Sequence, residues 1–258
     1  MIPQPFAKGG GERVYFGPYE YPSGADLIFD FGNPTCTSAF NTSRIVYNVG
    51  TANVTGSLIP YNNPGPFYPT LSTAAGGVMI LRTVGGGVGG NYLQWPWKST
   101  EQQTNVFIFA MNGNQLNPWN TLLPQEAGAS CIRTNVYGID ATSGSAAIDV
   151  RFYDSSNVGN DIFFTSYSDL NTTTANGRNG YNMISVSANA TNAHNLYINQ
   201  NLIATDSTSI SRSTSGTQTT NFGINGNMRI MAFLQYPNIL SAKQLRQIYK
   251  VFSQRFFT

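Results

Sequence analysis

From Ala25 almost to the end, the apolar residues fall into short runs separated by clusters of Gly, Pro, Asn, Asp and Ser. That rhythm predicts the strands of a sandwich or jelly roll. The runs are Leu27 to Phe31, Val78 to Val84, Tyr92 to Trp97, Asn105 to Met111, Ala147 to Tyr153 and Ile162 to Tyr167. Tyr181 to Ala188, Asn195 to Ile198, Leu202 to Thr205 and Met228 to Leu234 complete the series. Within Ala147 to Tyr153, Ile148, Val150 and Phe152 alternate with Asp149 and Arg151, which predicts one wet face and a surface ion pair. Val106 to Met111 is apolar on both faces, which predicts a central strand.

The period changes only at the C-terminus. Leu245, Ile248, Tyr249, Phe252 and Phe256 recur at helical spacing, with Lys243, Gln247, Lys250 and Gln254 on the opposite side. Ser241 at the N-cap and Gln244 three residues later form a capping box, and Leu240 can staple to Leu245. The predicted helix therefore spans residues 241–257, and one face of it packs on the sandwich.

Residues 1–24 have neither period. Gly and Pro punctuate them, and the aromatics Phe6, Tyr15, Phe16, Tyr19 and Tyr21 are set among them. They read as an extended arm ahead of one domain at 25–258, a size that a β-sandwich reaches as a single unit.

Composition narrows the classes further. Charged residues make up 10% of the chain, against roughly 25% in an ordinary globular domain. The hydrophobic fraction of 41% excludes a disordered chain. The net charge of +2 comes from scattered basic residues, with a modest cluster at Lys243, Arg246, Lys250 and Arg255, so no nucleic-acid partner is expected. No apolar run suits a signal peptide or a membrane span, so neither export nor insertion is expected. Cys36 and Cys131 lack metal or redox spacing and read as two buried free thiols.

Few residues offer chemistry. Gly85 to Gly90 matches a dinucleotide-binding glycine pattern, but a strand rather than a helix follows it, so no helix N-terminus can hold a phosphate. Glu12, Glu20, Glu101 and Glu126 are not paired with a second acid at strand spacing, which argues against glycoside hydrolysis. His194 is the only histidine, which excludes a two-imidazole metal site. Asp154, Asn157 and Asp161 could offer oxygens to calcium, but their spacing matches no known loop and they read as a solvated turn. No catalytic residue, metal or cofactor is expected. For sugar binding, Trp119 with Asn117 and Asn120 is the most loop-like aromatic plate with amides beside it. Trp95 and Trp97 share one strand face and read as core or core rim.

Several segments resemble the concanavalin A-like, laminin-G-like jelly-roll family. Arg229 to Leu234 followed by Leu240 to Tyr249 is similar to its closing strand and helix, and His194 to Ile203 to its late hairpin. Thr220 to Ile224 resembles the strand after that hairpin. Leu27 to Pro34 resembles the opening segment of the variants carried by phage virion proteins, and Gly76-Gly77-Val78 the start of the next strand. Two positions depart from the pattern. Gln200 stands where the hairpin usually has Gly, so a tight Asn-Gly turn is not expected, and Gln244 replaces an acid after the helix cap.

The resemblance implies an all-β sandwich of two antiparallel sheets with one C-terminal amphipathic helix, a scaffold used for glycan binding, for protein contacts and less often for hydrolysis. With no acid pair, the expectation is a virion structural protein, a capsid decoration or tail-associated subunit assembled in the host cytoplasm. Its partners would be other virion proteins and further copies of itself, reached through the arm. The alternative is a glycan-binding adhesin that attaches to surface glycans through Trp119, Asn117 and Asn120.

Overall fold

In the computed structural model, the described residues are 17–62, 66–72, 77–81, 90–97, 100, 102–111, 120–123, 132–140, 145–153, 159–167, 181–189, 194–207, 218–222 and 228–256. The elements begin with β1 (Leu27–Asp30), α1 (Pro34–Thr37), β2 (Ile45–Tyr47), β3 (Thr55–Ile59), β4 (Tyr61–Asn62), β5 (Pro66–Phe67) and β6 (Thr70–Ser72). They continue with β7 (Val78–Ile80), β8 (Tyr92–Trp97), β9 (Gln102–Met111), β10 (Asn120–Leu123), β11 (Ile132–Asp140), β12 (Ser145–Tyr153) and β13 (Gly159–Tyr167). The last are β14 (Tyr181–Asn189), β15 (His194–Ile198), β16 (Asn201–Asp206), β17 (Gln218–Phe222), β18 (Met228–Tyr236) and α2 (Ala242–Phe256). All ten predicted strands and the C-terminal helix are present among them.

One sheet runs in the order β16-β15-β14-β9-β18-β7-β6, and β1 pairs with β18 beside β7. The free edge of β18 is shared: Arg229 and Ile230 pair with β7, and Ala232 to Gln235 pair with β1. Opposite this sheet lie β17-β8-β3-β2 and β10-β11-β12-β13, each antiparallel. Leu58, Leu93 and Trp95 from the first and Ile148 and Val150 from the second enter one buried cluster with the large sheet. The chain is an all-β jelly-roll sandwich closed by a helix.

The large sheet is buried on both faces, and the strand pattern states why. In β9, Phe107 and Phe109 enter the cluster inside the sandwich, while Val106, Ile108 and Ala110 enter a second cluster under α2. Successive side chains of a strand point to opposite faces, so only a strand covered on both sides is apolar throughout. In β18, Ile230 and Phe233 both face inward although they are three residues apart. A register shift between Ile230 and Ala232 absorbs the extra residue and restores the alternation. Inside, Phe233 lies between Phe107 at 5.3 Å and Trp95 at 5.4 Å, and Trp95 reaches Phe29 at 5.0 Å.

On the outer face, α2 packs through Leu245, Ile248 and Phe252. Its start is capped as predicted. The Gln244 amide N–H donates to Ser241 Oγ at 3.3 Å, and the Ser241 N–H donates to Gln244 Oε1 at 2.9 Å. Leu240 and Leu245 join the same buried cluster. Thr104 of β9 seats the turn before the helix: its hydroxyl donates to the Asn238 carbonyl at 2.8 Å and accepts from the Leu240 N–H at 3.0 Å. Among the described residues no helix is long and apolar enough to cross a membrane.

Four expectations change. Asp149 is fully buried rather than on a wet face, so the side of β12 opposite Ile148 and Val150 is covered at this position. Arg151 stands opposite Arg133 and Asp161 in the register. The β15–β16 hairpin is a tight two-residue turn despite Gln200, with both Asn199 (φ 46°) and Gln200 (φ 68°) left-handed. The Asn199 side chain holds that turn: Oδ1 accepts from the Met183 N–H at 2.9 Å and Nδ2 donates to Asn182 Oδ1 at 3.1 Å. A short helix, α1, precedes the C-terminal one, and Asn33 caps it by accepting the Thr35 N–H at 2.9 Å.

Further strands appear where no run was predicted: β2 to β6, β10, β11 and β17, the last overlapping the Thr220 to Phe222 segment of the family resemblance. Gly77 of the resemblance has a physical role. Its φ is +89°, and a Cβ there would meet Phe31 O and Gly32 Cα at 2.2 Å, so only glycine fits.

Candidate functional site

The junction of the N-terminal segment, β1 and α2 holds a connected set of polar side chains around a buried acid. A turn starts it: the Glu20 N–H donates to the Gly17 carbonyl at 3.1 Å, and Glu20 Oε2 accepts the Gly17 N–H at 2.8 Å. From there the chain runs along α2, where Gln247 Nε2 donates to the Glu20 carbonyl at 2.9 Å. It then crosses the last strand, where the Tyr236 hydroxyl donates to the Pro22 carbonyl at 3.2 Å.

Asp30 lies at the centre. It is the β1 residue whose parity aims it outward, toward α2, so it must be satisfied there or remain a buried bare charge. Arg255, in the last turn of α2, donates to both its oxygens at 2.7 and 2.9 Å. Tyr21 Oη donates to Oδ2, and the Gly32 N–H donates to Oδ1 at 2.9 Å. The carboxylate is fully buried and the guanidinium side chain is 10% exposed. A bidentate guanidinium with two further donors is the geometry that compensates burial of an acid.

The titrations follow. Burial, reinforced by the Asp30 carboxylate, pushes the Tyr21 hydroxyl well above the ordinary tyrosine value. Burial by itself would lower the Arg255 pKa, but hydrogen bonding to Asp30 and its charge hold it above the ordinary value. The oxygens of Asp30 are engaged by Arg255, Tyr21 and the Gly32 N–H.

Rings line the same junction. Tyr21 stacks on Phe252 with centroids 5.8 Å apart, and the Arg255 guanidinium stands 5.2 Å from the Tyr19 ring and 5.1 Å from the Phe252 ring. The Tyr19 hydroxyl donates to the Gly32 carbonyl at 2.8 Å, yet the residue stays 41% exposed. The far edge of β1 is covered by residues 48–52. Asn48 uses its whole amide there: Oδ1 accepts the Ile28 and Gly50 N–H groups, and Nδ2 donates to the Asp26 and Ala52 carbonyls. Between this loop and the N-terminal segment lies an open groove of about 370 Å³, lined by Tyr19, Tyr21, Pro22 to Ala25, Ile28, Asn33 and Val49 to Thr51.

The sequence-derived residues are distributed as follows. Tyr19 and Tyr21 pack on this chain's own β1 and α2, whereas Phe6, Tyr15 and Phe16 lie outside the described residues. Asn120 opens β10, where it pairs with Val136; Asn117 and Trp119 lie outside. Trp95 is core, and His194 is buried at the start of β15. Cys36 is buried and free, its thiol pushed upward by burial, while Cys131 lies outside. So do Asp154 and Asn157. No cluster of His, Cys, Asp or Glu among the described residues could hold a metal. The Asp30 network was missed because its residues come from both ends of the chain, and the groove because its lining is spread from Tyr19 to Thr51 without a motif; Asp30 beside Phe29 and Phe31, an acid in an apolar run, was the available signal.

This geometry defines a jelly-roll sandwich with a polar seam between its N-terminal segment and its last helix, and solved structures share the fold. The binding domain of botulinum neurotoxin DC in complex with rat synaptotagmin II superposes with a TM-score of 0.59 at 16% identity, over 88% of this chain and 51% of that one. A structure described by the dependence of botulinum neurotoxin type C cell entry on two ganglioside molecules gives 0.60 at 15% identity, over 88% and 50%. The DC binding domain in complex with SialylT gives 0.59 at 16%, over 88% and 50%. The chain thus spans about half the length of these structures. No protein-family model and no curated protein sequence matches it.

Proposed function

We propose that this chain is a non-catalytic attachment domain that binds glycan on a surface. The observation that carries this reading is the architecture: the same sandwich, across 88% of the chain, occurs in receptor-binding domains described with gangliosides and with SialylT. A scaffold whose buried acid is paired with Arg255, in a charge-poor sequence with 10% charged residues, supports binding over hydrolysis. The virion-subunit reading gains no comparable support from the solved structures that share the fold.

Trp119 with Asn117 and Asn120 is the sugar-binding surface that the sequence offers. The full chain screened on a broad glycan array is expected to bind a defined subset of glycans. Silence across the array would overturn the proposal.

A further inference from the structure

We infer that the groove beside the N-terminal segment is a saccharide subsite, with Tyr19 as its stacking ring and Asn33 and Ser23 as its hydrogen-bonding groups. The inference rests on the attachment reading and gives it a second place on the surface, distant in sequence from Trp119.

Three observations carry it. The Tyr19 ring is exposed yet fixed, its hydroxyl bound to Gly32 and its ring next to Arg255, so it offers an apolar surface at little ordering cost. Asn33 spends Oδ1 on the cap of α1, which leaves Nδ2 as a donor with no partner among the described residues. Ser23, exposed, keeps its hydroxyl likewise without one. An aromatic ring with an amide donor and a hydroxyl is the set that stacks the apolar face of a sugar and hydrogen-bonds its rim.

Size and charge define the ligand. The volume of about 370 Å³ lies at the small end of the roughly 300–1,000 Å³ spanned by ligand sites, which suits a mono- or disaccharide unit. Adjoining charge does not favour an anion. Asp26 holds Thr51 Oγ1 at 3.0 Å, Glu20 lies between the two tyrosines, and Arg255 is already neutralised by Asp30. The unit is therefore neutral rather than sialylated.

The test uses the full chain on a glycan array, followed by calorimetric titration of the best neutral oligosaccharide against three variants. Tyr19→Ala is expected to weaken binding by at least about tenfold. Asn33→Asp keeps the cap oxygen but replaces the free donor with an acceptor; it is expected to weaken binding about fivefold or more with an unchanged Tm. Leu202→Ser, at an exposed residue of β16 outside the groove lining, should leave this affinity unchanged. Array binding that survives both Tyr19→Ala and Asn33→Asp, or that is confined to sialylated glycans, overturns the subsite while sparing the attachment reading. An array without binding removes both. Thermal melts of each variant separate loss of fold from loss of ligand.

Discussion

The two faces of the large sheet are buried by different means. The inner face is closed by apolar side chains of opposing sheets, with Phe107, Phe109, Phe233 and Trp95 packed among aliphatic residues. The outer face is closed by one helix and by the N-terminal segment, and there the apolar cluster is edged by Asp30, Arg255, Tyr21 and Thr104. An opposing sheet covers a broad area and needs no directional bonds. A single helix with a strap covers a strip, and its position must be set by bonds that have direction. The face with directional bonds is also where the groove opens.

This contrast can be broken from either side. Removing Asp30 leaves a buried guanidinium unpaired, so Asp30→Ala should cost about 3–5 kcal/mol. The double variant Asp30→Leu with Arg255→Met should recover most of that loss in denaturant melts, because the pair itself contributes little net stability. Phe233→Ala on the inner face should cost about 3–5 kcal/mol as well, and no second substitution among its ring neighbours should restore it. Equal rescue on both faces would refute the distinction.

Alkaline titration separates the faces next. Tyr21 and Tyr236 of the outer cluster keep protons that the unfolded chain releases above its ordinary tyrosine value of 10.0. Their contribution is complete below that pH and is lost as pH rises beyond it, by roughly 1.4 kcal/mol per pH unit for each group. Tyr21→Phe should flatten this slope in melts followed from pH 9 to 11, whereas Phe107→Leu should shift the whole curve without changing its slope. Smaller still, Ser241→Ala removes the cap that seats α2 and should cost about 1 kcal/mol. Away from both faces, Gln200→Gly relieves a left-handed residue in the β15–β16 turn and should raise stability by up to about 1 kcal/mol.

What could be read in advance follows from the range of each interaction. Strands and the capped helix depend on neighbours within a few residues, so their periods were visible in the chain. Val106 to Met111, apolar on both faces, announced a central strand. Strands such as β2, β3 and β11 were not visible because they are short or interrupted by Gly and polar residues; pairing with an already formed neighbour, not their own pattern, makes them strands. Gln200 misled in the opposite sense. Its left-handed backbone is supported by Asn199 reaching β14, a contact 16 residues away from Met183.

The sequence by itself determined an all-β sandwich with a C-terminal helix, its main strands, its helix cap and the lack of an acid pair at strand spacing. Each is set by local periodicity or by residue type. Only the tertiary structure decided what Asp30 does, because its guanidinium lies 225 residues away in the chain. Likewise, only the fold brings Tyr19, Ser23 and Asn33 beside the loop at Val49 to Thr51. Such meetings depend on which face of β1 each side chain takes and on where the last turn of α2 ends. Both are properties of the packed sheet rather than of any stretch of residues.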